Sequence, residues 1–354
     1  MKVKFVDFPK QHKKYESEID SAIKRVCNSR ARILQSEVSS FERNLAEFIG
    51  TKYAVGLNSG TDALFLSLKL AGIGPGDEVI TVGHTFHATV EAIVWNGAKP
   101  ILVNVGSDGM MDVEEVYQKI GRSTKAIIPV HLMGDMVNMK ELMEKVKMAE
   151  AVFKNKIIVI EDACQALGSE SNGKKAGAWG LAGAFSFFPA KILGAYGDAG
   201  AVTTNDEALY KELKDMREHY KYNPGKYGFN SRLDELQAAI LNVKISHLPE
   251  MIQRRQEIAD RYYQGLKIGG LPPIRQGRVY QDFIIRTEKR DELSEFLKKN
   301  DIETLKNDYH FPDDLPKPED TVLLESQTLR LPCNDVLEDE EIDFVISKIN
   351  EFFK

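Results

Sequence analysis

From about residue 53 the chain alternates short runs of apolar, often β-branched residues with longer segments whose apolar positions recur at helical spacing. The runs predicted as strands are YAVGL, DEVITV, KPILVNV, TKAIIPVH and KIIVIED, and a helix is predicted after each of the first four. Strands that are apolar throughout and are separated by helices are typical of parallel sheets covered on both faces. The pattern therefore predicts an α/β domain built around a mainly parallel sheet.

The pattern changes in the second half of the chain. The runs AFSFF and GAVTTN read as two strands with no helix between them, which predicts an antiparallel part of the sheet. A charged helical region follows from Leu233 to about Leu266 and is interrupted near Pro249. A smaller α+β unit, with VYQDFIIRT as a strand and a closing helix at EDEEIDFVISKINEFF, ends the chain. We predict a large domain over residues 1–245 and a small C-terminal domain over residues 246–354.

Composition narrows the possible partners and the compartment. The net charge is −6 and the charges are interleaved, which argues against a nucleic-acid or membrane partner. Cys27, Cys164 and Cys333 are widely separated, which argues against a disulfide framework and a structural zinc site. No apolar run has the length of a signal peptide core or of a membrane helix. We expect a cytoplasmic protein.

Ligands of open parallel sheets bind beyond the carboxyl ends of the strands, so the residues after each strand are the first candidates for a site. Ser59, Gly60 and Thr61 open a predicted helix, where free amide groups can bind a phosphate. An ordinary helix cap explains the same residues. Phe86 follows the second strand and is a candidate core residue or stacking face for a flat ring. The flanking histidines, His84 and His87, have no Cys or carboxylate beside them, so we reject a zinc site there.

Two later positions carry charged side chains. Glu161 and Asp162 end a buried strand, so one carboxylate points into the crevice or caps the next helix. Such a carboxylate pairs well with a protonated nitrogen. Lys191 lies among Phe, Ala and Gly residues and is either solvated or desolvated. Desolvation would lower the pKa of the Lys191 amine and make it a nucleophile toward aldehydes.

These four features at one sheet edge match one cofactor. Pyridoxal 5′-phosphate needs a phosphate cradle, a stacking face, a carboxylate at its pyridinium nitrogen and a lysine for the Schiff base. Each candidate position supplies one of these parts. The combination predicts a pyridoxal-phosphate site, with Lys191 desolvated.

With these residues identified, the chain resembles the DegT-type sugar-nucleotide aminotransferases, which have the fold of type I pyridoxal-phosphate enzymes. The resemblance covers nearly the whole chain, through the blocks LNSGTDALFLSL, GHTFHAT, IEDACQALGSE, FSFFPAKILGAYGDAGAV, FNSRLDELQAAIL and LRLPCND. It implies transfer of the amino group of L-glutamate to a keto group of a nucleotide-linked sugar. The run GAYGDAGAV, which begins at Gly194 shortly after the lysine, resembles members that act on 3-keto rather than 4-keto sugars.

The resemblance also implies a role for each site residue. Lys191 forms the Schiff base and moves protons, Asp162 pairs with the pyridinium nitrogen, and Gln165 contacts the phenolic oxygen of the ring. Phe86 stacks on the ring. The phosphate is held by Gly60, Thr61 and Ser186, with Asn230 supplied by a neighbouring subunit, which implies a homodimer. No metal is expected.

The chain departs from the family pattern at positions that border the substrate: Gln35-Ser36, Tyr220 and the run NDYHFP at Asn307–Pro312. Three alternative functions share parts of this pattern. A related branch dehydrates the sugar, but it has histidine where this chain has Lys191. An aminotransferase for a keto-cyclitol uses the same catalytic set and stays open. A non-catalytic, cofactor-binding regulator is disfavoured because the lysine, aspartate, glutamine and phosphate residues are all present.

Overall fold

The structure is a computed structural model that describes residues 1–30, 32–223, 225–307 and 309–354. Asp308, within the Asn307–Pro312 run, lies outside the described residues. The helices are α1 (Phe8–Asn28), α2 (Ser36–Ile49), α3 (Gly60–Leu70), α4 (Ala88–Trp95), α5 (Val113–Lys119), α6 (Met139–Phe153), α7 (Glu207–Met216), α8 (Glu235–Ser246), α9 (Leu248–Gly265), α10 (Arg290–Lys299), α11 (Glu319–Gln327) and α12 (Asp339–Phe352). The strands are β1 (Tyr53–Leu57), β2 (Glu78–Val82), β3 (Lys99–Val103), β4 (Thr124–Ile127), β5 (Ile158–Asp162), β6 (Glu170–Ser171), β7 (Lys174–Lys175), β8 (Ala182–Ser186), β9 (Gly200–Thr204), β10 (Phe283–Arg286), β11 (Leu305–Lys306) and β12 (Thr328–Leu331).

The central sheet has the strand order β1-β9-β8-β5-β4-β2-β3. Neighbours from β8 through β3 are parallel, whereas β9 runs antiparallel to both β1 and β8. The predicted α/β fold with a mainly parallel sheet is confirmed, and the antiparallel pair lies where the pattern places it.

Helices cover both faces of this sheet because its strands are buried on both sides. In β2, Val79 joins an apolar cluster with residues of α3, α4 and α7, while Ile80 and Val82 join a cluster with residues of α2, α6 and α8. Successive side chains of a strand point to opposite faces, so one apolar run supplies both clusters. This is the physical reason why the strands are apolar without alternation.

The structure adds two N-terminal helices to the sequence prediction and changes the end of one strand and the position of one helix break. The helices α1 and α2 precede β1 and were not predicted, although Tyr15, Ile19, Ala22 and Val26 form a buried stripe along α1. Strand β8 ends at Ser186, two residues earlier than predicted, so Lys191 lies in the loop after it. The predicted helix break falls at His247, and Pro249 lies in the first turn of α9, where proline is tolerated.

The C-terminal part of the chain contains a three-stranded sheet with the order β10-β12-β11. Its core includes Ile258 of α9, Leu293 of α10 and Val345 of α12. Val3 belongs to the same cluster and pairs with Ile302, so the N-terminal residues pack against this unit. The boundary between residues 245 and 246 stays a prediction. Within the described ranges, no helix combines the length and the apolar character needed to cross a membrane.

Candidate active site

A cavity of about 520 Å³ lies between the carboxyl ends of the parallel strands and the three-stranded sheet. It brings together seven of the eight residues predicted from the sequence: Gly60, Thr61, Phe86, Asp162, Gln165, Ser186 and Lys191. A second cavity, of about 570 Å³, lies beside the loop between β4 and α6 and contains none of them. There the Asp135 carboxylate forms ion pairs with Arg275 and Arg278, at 3.3 and 3.4 Å. The predicted residues therefore point to the first cavity.

The N-terminus of α3 forms one wall of this cavity. Ser59 caps the helix by accepting a 3.1 Å hydrogen bond from the backbone N–H of Asp62. The N–H groups of Gly60 and Thr61 belong to the first helical turn and have no carbonyl partner within the helix. Together with the helix dipole they form a site for an anion.

Gly60 is required by the packing of this helix start. A Cβ atom at this position would lie 2.7 Å from the Cys164 Sγ atom and 2.8 Å from the Ser186 Cβ atom. A residue with a side chain would push α3 away from Ser186. The glycine thus keeps the free amide groups and the Ser186 hydroxyl on one small surface.

The two adjacent carboxylates at the end of β5 have different environments. The Asp162 Oδ2 atom accepts a 2.7 Å hydrogen bond from the Thr89 hydroxyl, and its side chain lines the cavity. Glu161 is fully buried on the opposite side, where its carboxylate accepts hydrogen bonds from His131 and from the backbone N–H groups of residues 177, 179 and 180. Alternation along the strand separates the two side chains. Asp162 is the carboxylate that faces the cavity.

The loop that carries Lys191 is held from two sides. Gln281, just before β10, accepts a 3.0 Å hydrogen bond from the N–H of Ile192 and donates one of 2.9 Å to the carbonyl of Ala190. Gly194 allows a close backbone approach, because a Cβ atom there would lie 2.1 Å from the Pro189 carbonyl oxygen. The residues on both sides of Lys191 are therefore fixed, and its side chain extends into the cavity.

The surroundings of Lys191 make its ammonium easier to deprotonate than that of a solvated lysine. Burial lowers the pKa of the Lys191 ammonium, the nearby Asp162 carboxylate opposes that shift, and the Arg330 guanidinium adds to it. Among the described residues, no carboxylate lies within 4.0 Å of the amine to form an ion pair. A lysine in this state can act as a nucleophile and as a proton acceptor.

Phe86 and Gln165 line the same cavity as Asp162. The Phe86 ring packs against His87, with a centroid distance of 3.9 Å, and meets Tyr309 edge-on at 6.1 Å. The Gln165 carbonyl oxygen accepts a 3.1 Å hydrogen bond from the N–H of Met133, which leaves its amide NH₂ group as a donor. The cavity thus offers an aromatic face and a side-chain amide donor.

Asn230, the eighth predicted residue, does not line this cavity. It is exposed and forms an isolated backbone bridge with Glu218. Its predicted role concerns a neighbouring copy of the chain.

Among the other residues that line the cavity, sequence reasoning gave no role in the site to Thr89, Gln281, Tyr309 or Arg330. Thr89 has a recoverable signal, because Thr85 and Thr89 are four residues apart at a helix start and their hydroxyls lie 2.7 Å from each other. Gln281 and Arg330 approach Lys191 only through the packing of the C-terminal unit on the large sheet.

The residues present fit pyridoxal 5′-phosphate. The start of α3 offers free N–H groups for a phosphate, and a Cβ atom would fill that cradle at Gly60. Asp162 is a buried acceptor for a protonated ring nitrogen, and Lys191 is an amine of lowered pKa with no ion-pair partner among the described residues. These parts lie in one cavity.

Comparison with known sequences identifies close relatives over the whole chain. The profile of the DegT/DnrJ/EryC1/StrS aminotransferase family matches residues 13–350. A pleiotropic regulatory protein of Geobacillus stearothermophilus is 37% identical over 100% of this chain and 99% of its own. The dTDP-3-amino-3,6-dideoxy-α-D-galactopyranose transaminase of Aneurinibacillus thermoaerophilus is 37% identical over 99% of both chains.

Solved structures also resemble this chain over nearly its whole length. S. venezuelae DesV, in complex with a ketimine intermediate, superimposes with a TM-score of 0.93 at 37% identity and covers 99% of this chain and 98% of its own. NtdA from Bacillus subtilis, solved with the bound cofactor PMP, has a TM-score of 0.89 at 28% identity, over 99% of this chain and 85% of its own.

Proposed function

This chain belongs to the DegT/DnrJ/EryC1/StrS aminotransferase family, and we propose that it transfers the amino group of L-glutamate to carbon 3 of a 3-keto nucleotide sugar. The observation that carries the proposal is the meeting of Lys191 and Asp162 in one cavity with a phosphate cradle. The protein is an aminotransferase, and its cofactor is pyridoxal 5′-phosphate.

When bound, the cofactor supplies an electron sink and carries the amino group from donor to acceptor. Lys191 then has two tasks in our proposal. Its Nζ atom would hold the cofactor covalently between reactions. The same Nζ atom, when free, would take a proton from the reacting carbon of the donor and would return a proton to the reacting carbon of the acceptor. The lowered pKa of the Lys191 amine keeps it able to accept that proton.

Asp162 keeps a proton on the ring nitrogen of the cofactor. Its carboxylate is oriented by the Thr89 hydroxyl, which in turn lies 2.7 Å from the hydroxyl of Thr85. An ionised carboxylate in this place stabilises the protonated ring, which withdraws electrons from the reacting carbon. Thr89 acts through Asp162 and is a positioning residue.

The remaining residues bind and orient the cofactor. Gly60, Thr61 and Ser186 would hold the phosphate at the start of α3, Phe86 would pack against the ring, and the Gln165 amide would donate to the phenolic oxygen. The cradle at Gly60 and the amide NH₂ group of Gln165, which lines the cavity, support these roles.

The preference for a 3-keto nucleotide sugar rests on two supports. The run after Lys191, GAYGDAGAV, resembles members that act at carbon 3. The relative from A. thermoaerophilus, which matches over 99% of both chains, is named for a 3-amino nucleotide sugar. The test is to incubate the enzyme with ¹⁵N-labelled L-glutamate and matched 3-keto and 4-keto nucleotide sugars. We expect ¹⁵N at carbon 3, whereas label only at carbon 4 would reject this regiochemistry.

We also propose that the enzyme is a homodimer in which Asn230 of one subunit completes the phosphate site of the other. The exposed position of Asn230, outside the cavity of its own chain, supports this arrangement. Mixing inactive Lys191→Ala and Asn230→Ala subunits tests it. Hybrid dimers would regain one intact site and part of the activity, whereas no recovery after confirmed subunit exchange would refute shared sites.

A purely regulatory role is a second candidate, because the G. stearothermophilus relative carries the name of a regulatory protein. Catalysis is favoured, because a regulator has no need for a desolvated lysine beside an oriented aspartate. Failure of label transfer to any nucleotide sugar or keto-cyclitol would favour the regulator. Transfer to a keto-cyclitol alone would replace the proposed acceptor.

A further inference from the structure

Arg330 projects from the small sheet into the cavity. It lies on β12, the central strand of the three-stranded sheet, opposite Ile284 of β10 and Leu305 of β11. Its neighbours Leu329 and Leu331 are fully buried in the core of that unit. Alternation along the strand therefore places the Arg330 side chain on the other face, where it lines the cavity.

The Arg330 guanidinium is held in place but keeps free donors. Its Nε and Nη2 atoms donate to the Asp282 Oδ2 atom at 3.0 and 2.5 Å, and its Nη1 atom donates to Asn307 at 3.4 Å. A guanidinium has five N–H donors in a rigid fork, so these contacts leave two of them unused. Arginine in this state can bind a further planar anion such as a carboxylate.

Arg330 differs from the other basic side chain at the cavity wall in having no assigned partner in the cofactor. Among the described residues that line the cavity, the basic side chains of the lysine and arginine type are those of Lys191 and Arg330. Lys191 is committed to the cofactor, and the start of α3 is committed to the phosphate. Arg330 is also close enough to lower the pKa of the Lys191 ammonium and to interact with Tyr309. It is therefore the cation available to an anionic group of a substrate near Lys191.

We propose that Arg330 binds the carboxylate on the carbon that carries the amino group of the donor. The inference rests on the proposed aminotransferase function and specifies how the donor is recognised. In an α-amino acid the carboxylate is bonded directly to the reacting carbon, so it must lie close to Lys191 when that carbon reacts. The diphosphate of a nucleotide sugar is attached to carbon 1, which is two bonds away from a keto group at carbon 3. A carboxylate near Lys191 therefore belongs to the donor, unless the acceptor is itself an acidic sugar.

The test measures binding without turnover. The enzyme loaded with pyridoxal 5′-phosphate has no amino group to give to 2-oxoglutarate, so the keto acid binds unchanged. Its dissociation constant is measured by calorimetry for the wild type, Arg330→Gln and Arg330→Lys. Arg275→Gln, which makes the same change at the second cavity, is the matched control. Single-turnover rates are then measured separately with L-glutamate and with a 3-keto nucleotide sugar whose sugar ring carries no carboxylate, called the neutral sugar here.

We expect Arg330→Gln to weaken 2-oxoglutarate binding about 10- to 100-fold, the effect of losing a charged hydrogen-bonded pair. Arg330→Lys keeps a positive charge beside Asp282 but loses the planar pair of N–H donors. Its 2-oxoglutarate affinity should therefore lie between those of the wild type and Arg330→Gln. The L-glutamate half-reaction should require a correspondingly higher donor concentration, and the rate with the neutral sugar should change little. Arg275→Gln should behave as the wild type.

Three results would overturn the inference: no 2-oxoglutarate binding to the wild type, unchanged binding in both Arg330 variants, or an equal loss in both half-reactions. A selective loss with an acidic keto sugar, and none with L-glutamate, would reassign Arg330 to the acceptor. The inference and the proposed function fail separately. If no keto sugar accepts the amine while donor binding still depends on Arg330, the proposed acceptor is wrong and this assignment stands.

Discussion

The Thr89 hydroxyl donates a 2.7 Å hydrogen bond to the Oδ2 atom of Asp162, inside the cavity and beside the carboxyl end of β5. The same hydroxyl lies 2.7 Å from that of Thr85. Because the Thr89 proton is donated to the carboxylate, Thr85 donates to Thr89. This chain of hydroxyls fixes the direction of the carboxylate that we assign to the ring nitrogen.

Replacing Thr89 by valine, which keeps the shape but removes the hydroxyl, should slow both half-reactions about tenfold. The physical reason is the loss of a hydrogen bond to a charged group, which leaves Asp162 less well oriented. Stopped-flow absorption with saturating cofactor measures both rates. Thr89→Ser should restore them, and a Thr89→Val enzyme with wild-type rates would show that the orientation of Asp162 is irrelevant.

Asp162 and Glu161 should respond differently to substitution. Asp162→Ala should retain the cofactor but slow both half-reactions at least about 100-fold, because the ring nitrogen loses its counter-charge. Glu161→Gln should instead lower the free energy of unfolding by about 3 kcal/mol, because an amide NH₂ would face buried N–H donors. Denaturant unfolding and half-reaction rates separate the two effects. A selective rate loss in the Glu161 variant alone would mean that the two carboxylates are wrongly assigned.

Gly60→Ala should weaken cofactor binding at least about tenfold. The added methyl group meets Cys164 and Ser186 at 2.7 and 2.8 Å and would displace the start of α3 from its phosphate-binding position. The dissociation constant of pyridoxal 5′-phosphate is measured by fluorescence titration of the apoenzyme. Gly121→Ala is the control, because a Cβ atom there has no neighbour within 4 Å. Equal affinities in the two variants would argue against the cradle.

The pH dependence of cofactor attachment reports on Lys191. An amine attacks an aldehyde only in its neutral form, and burial lowers the pKa of Lys191 below the ordinary value of 10.5. The rate of attachment to the apoenzyme should therefore reach half its maximum below pH 10.5. The midpoint should rise in Arg330→Gln, which removes a cation, and fall in Asp162→Asn, which removes an anion. A midpoint at or above 10.5 in the wild type would indicate a solvated lysine.

The sequence was sufficient to predict the sheet and to select residues that share one cavity, because strand ends in a parallel sheet meet at one edge. Gly60, Phe86 and Lys191 each follow a strand, Asp162 ends one, and the structure places all four in one cavity. The choice between Glu161 and Asp162 could not be made from spacing. Alternation separates adjacent side chains but does not say which face is the cavity.

Residues that reach the cavity from the other unit could not be predicted. Arg330 lies 139 positions after Lys191 in the chain, and only the docking of the small sheet brings them together. The same holds for Gln281, whose side chain holds the Lys191 loop by two hydrogen bonds. Strand β8 ends two residues before its predicted end, because Phe187 and Phe188 belong to the loop that carries Lys191. Composition alone does not distinguish the last residues of an apolar strand from an apolar loop.

The most direct test of the account is the absorption spectrum of the purified protein with pyridoxal 5′-phosphate, recorded before and after L-glutamate and then after a 3-keto nucleotide sugar. We predict a visible band that requires Lys191, disappears with L-glutamate and returns with the sugar. Lys191→Ala, which should fold normally because it removes a desolvated amine, should lack the band and the response. No band in the wild type with added cofactor, or the same band in Lys191→Ala, would contradict the assignment of Lys191 on which the account rests.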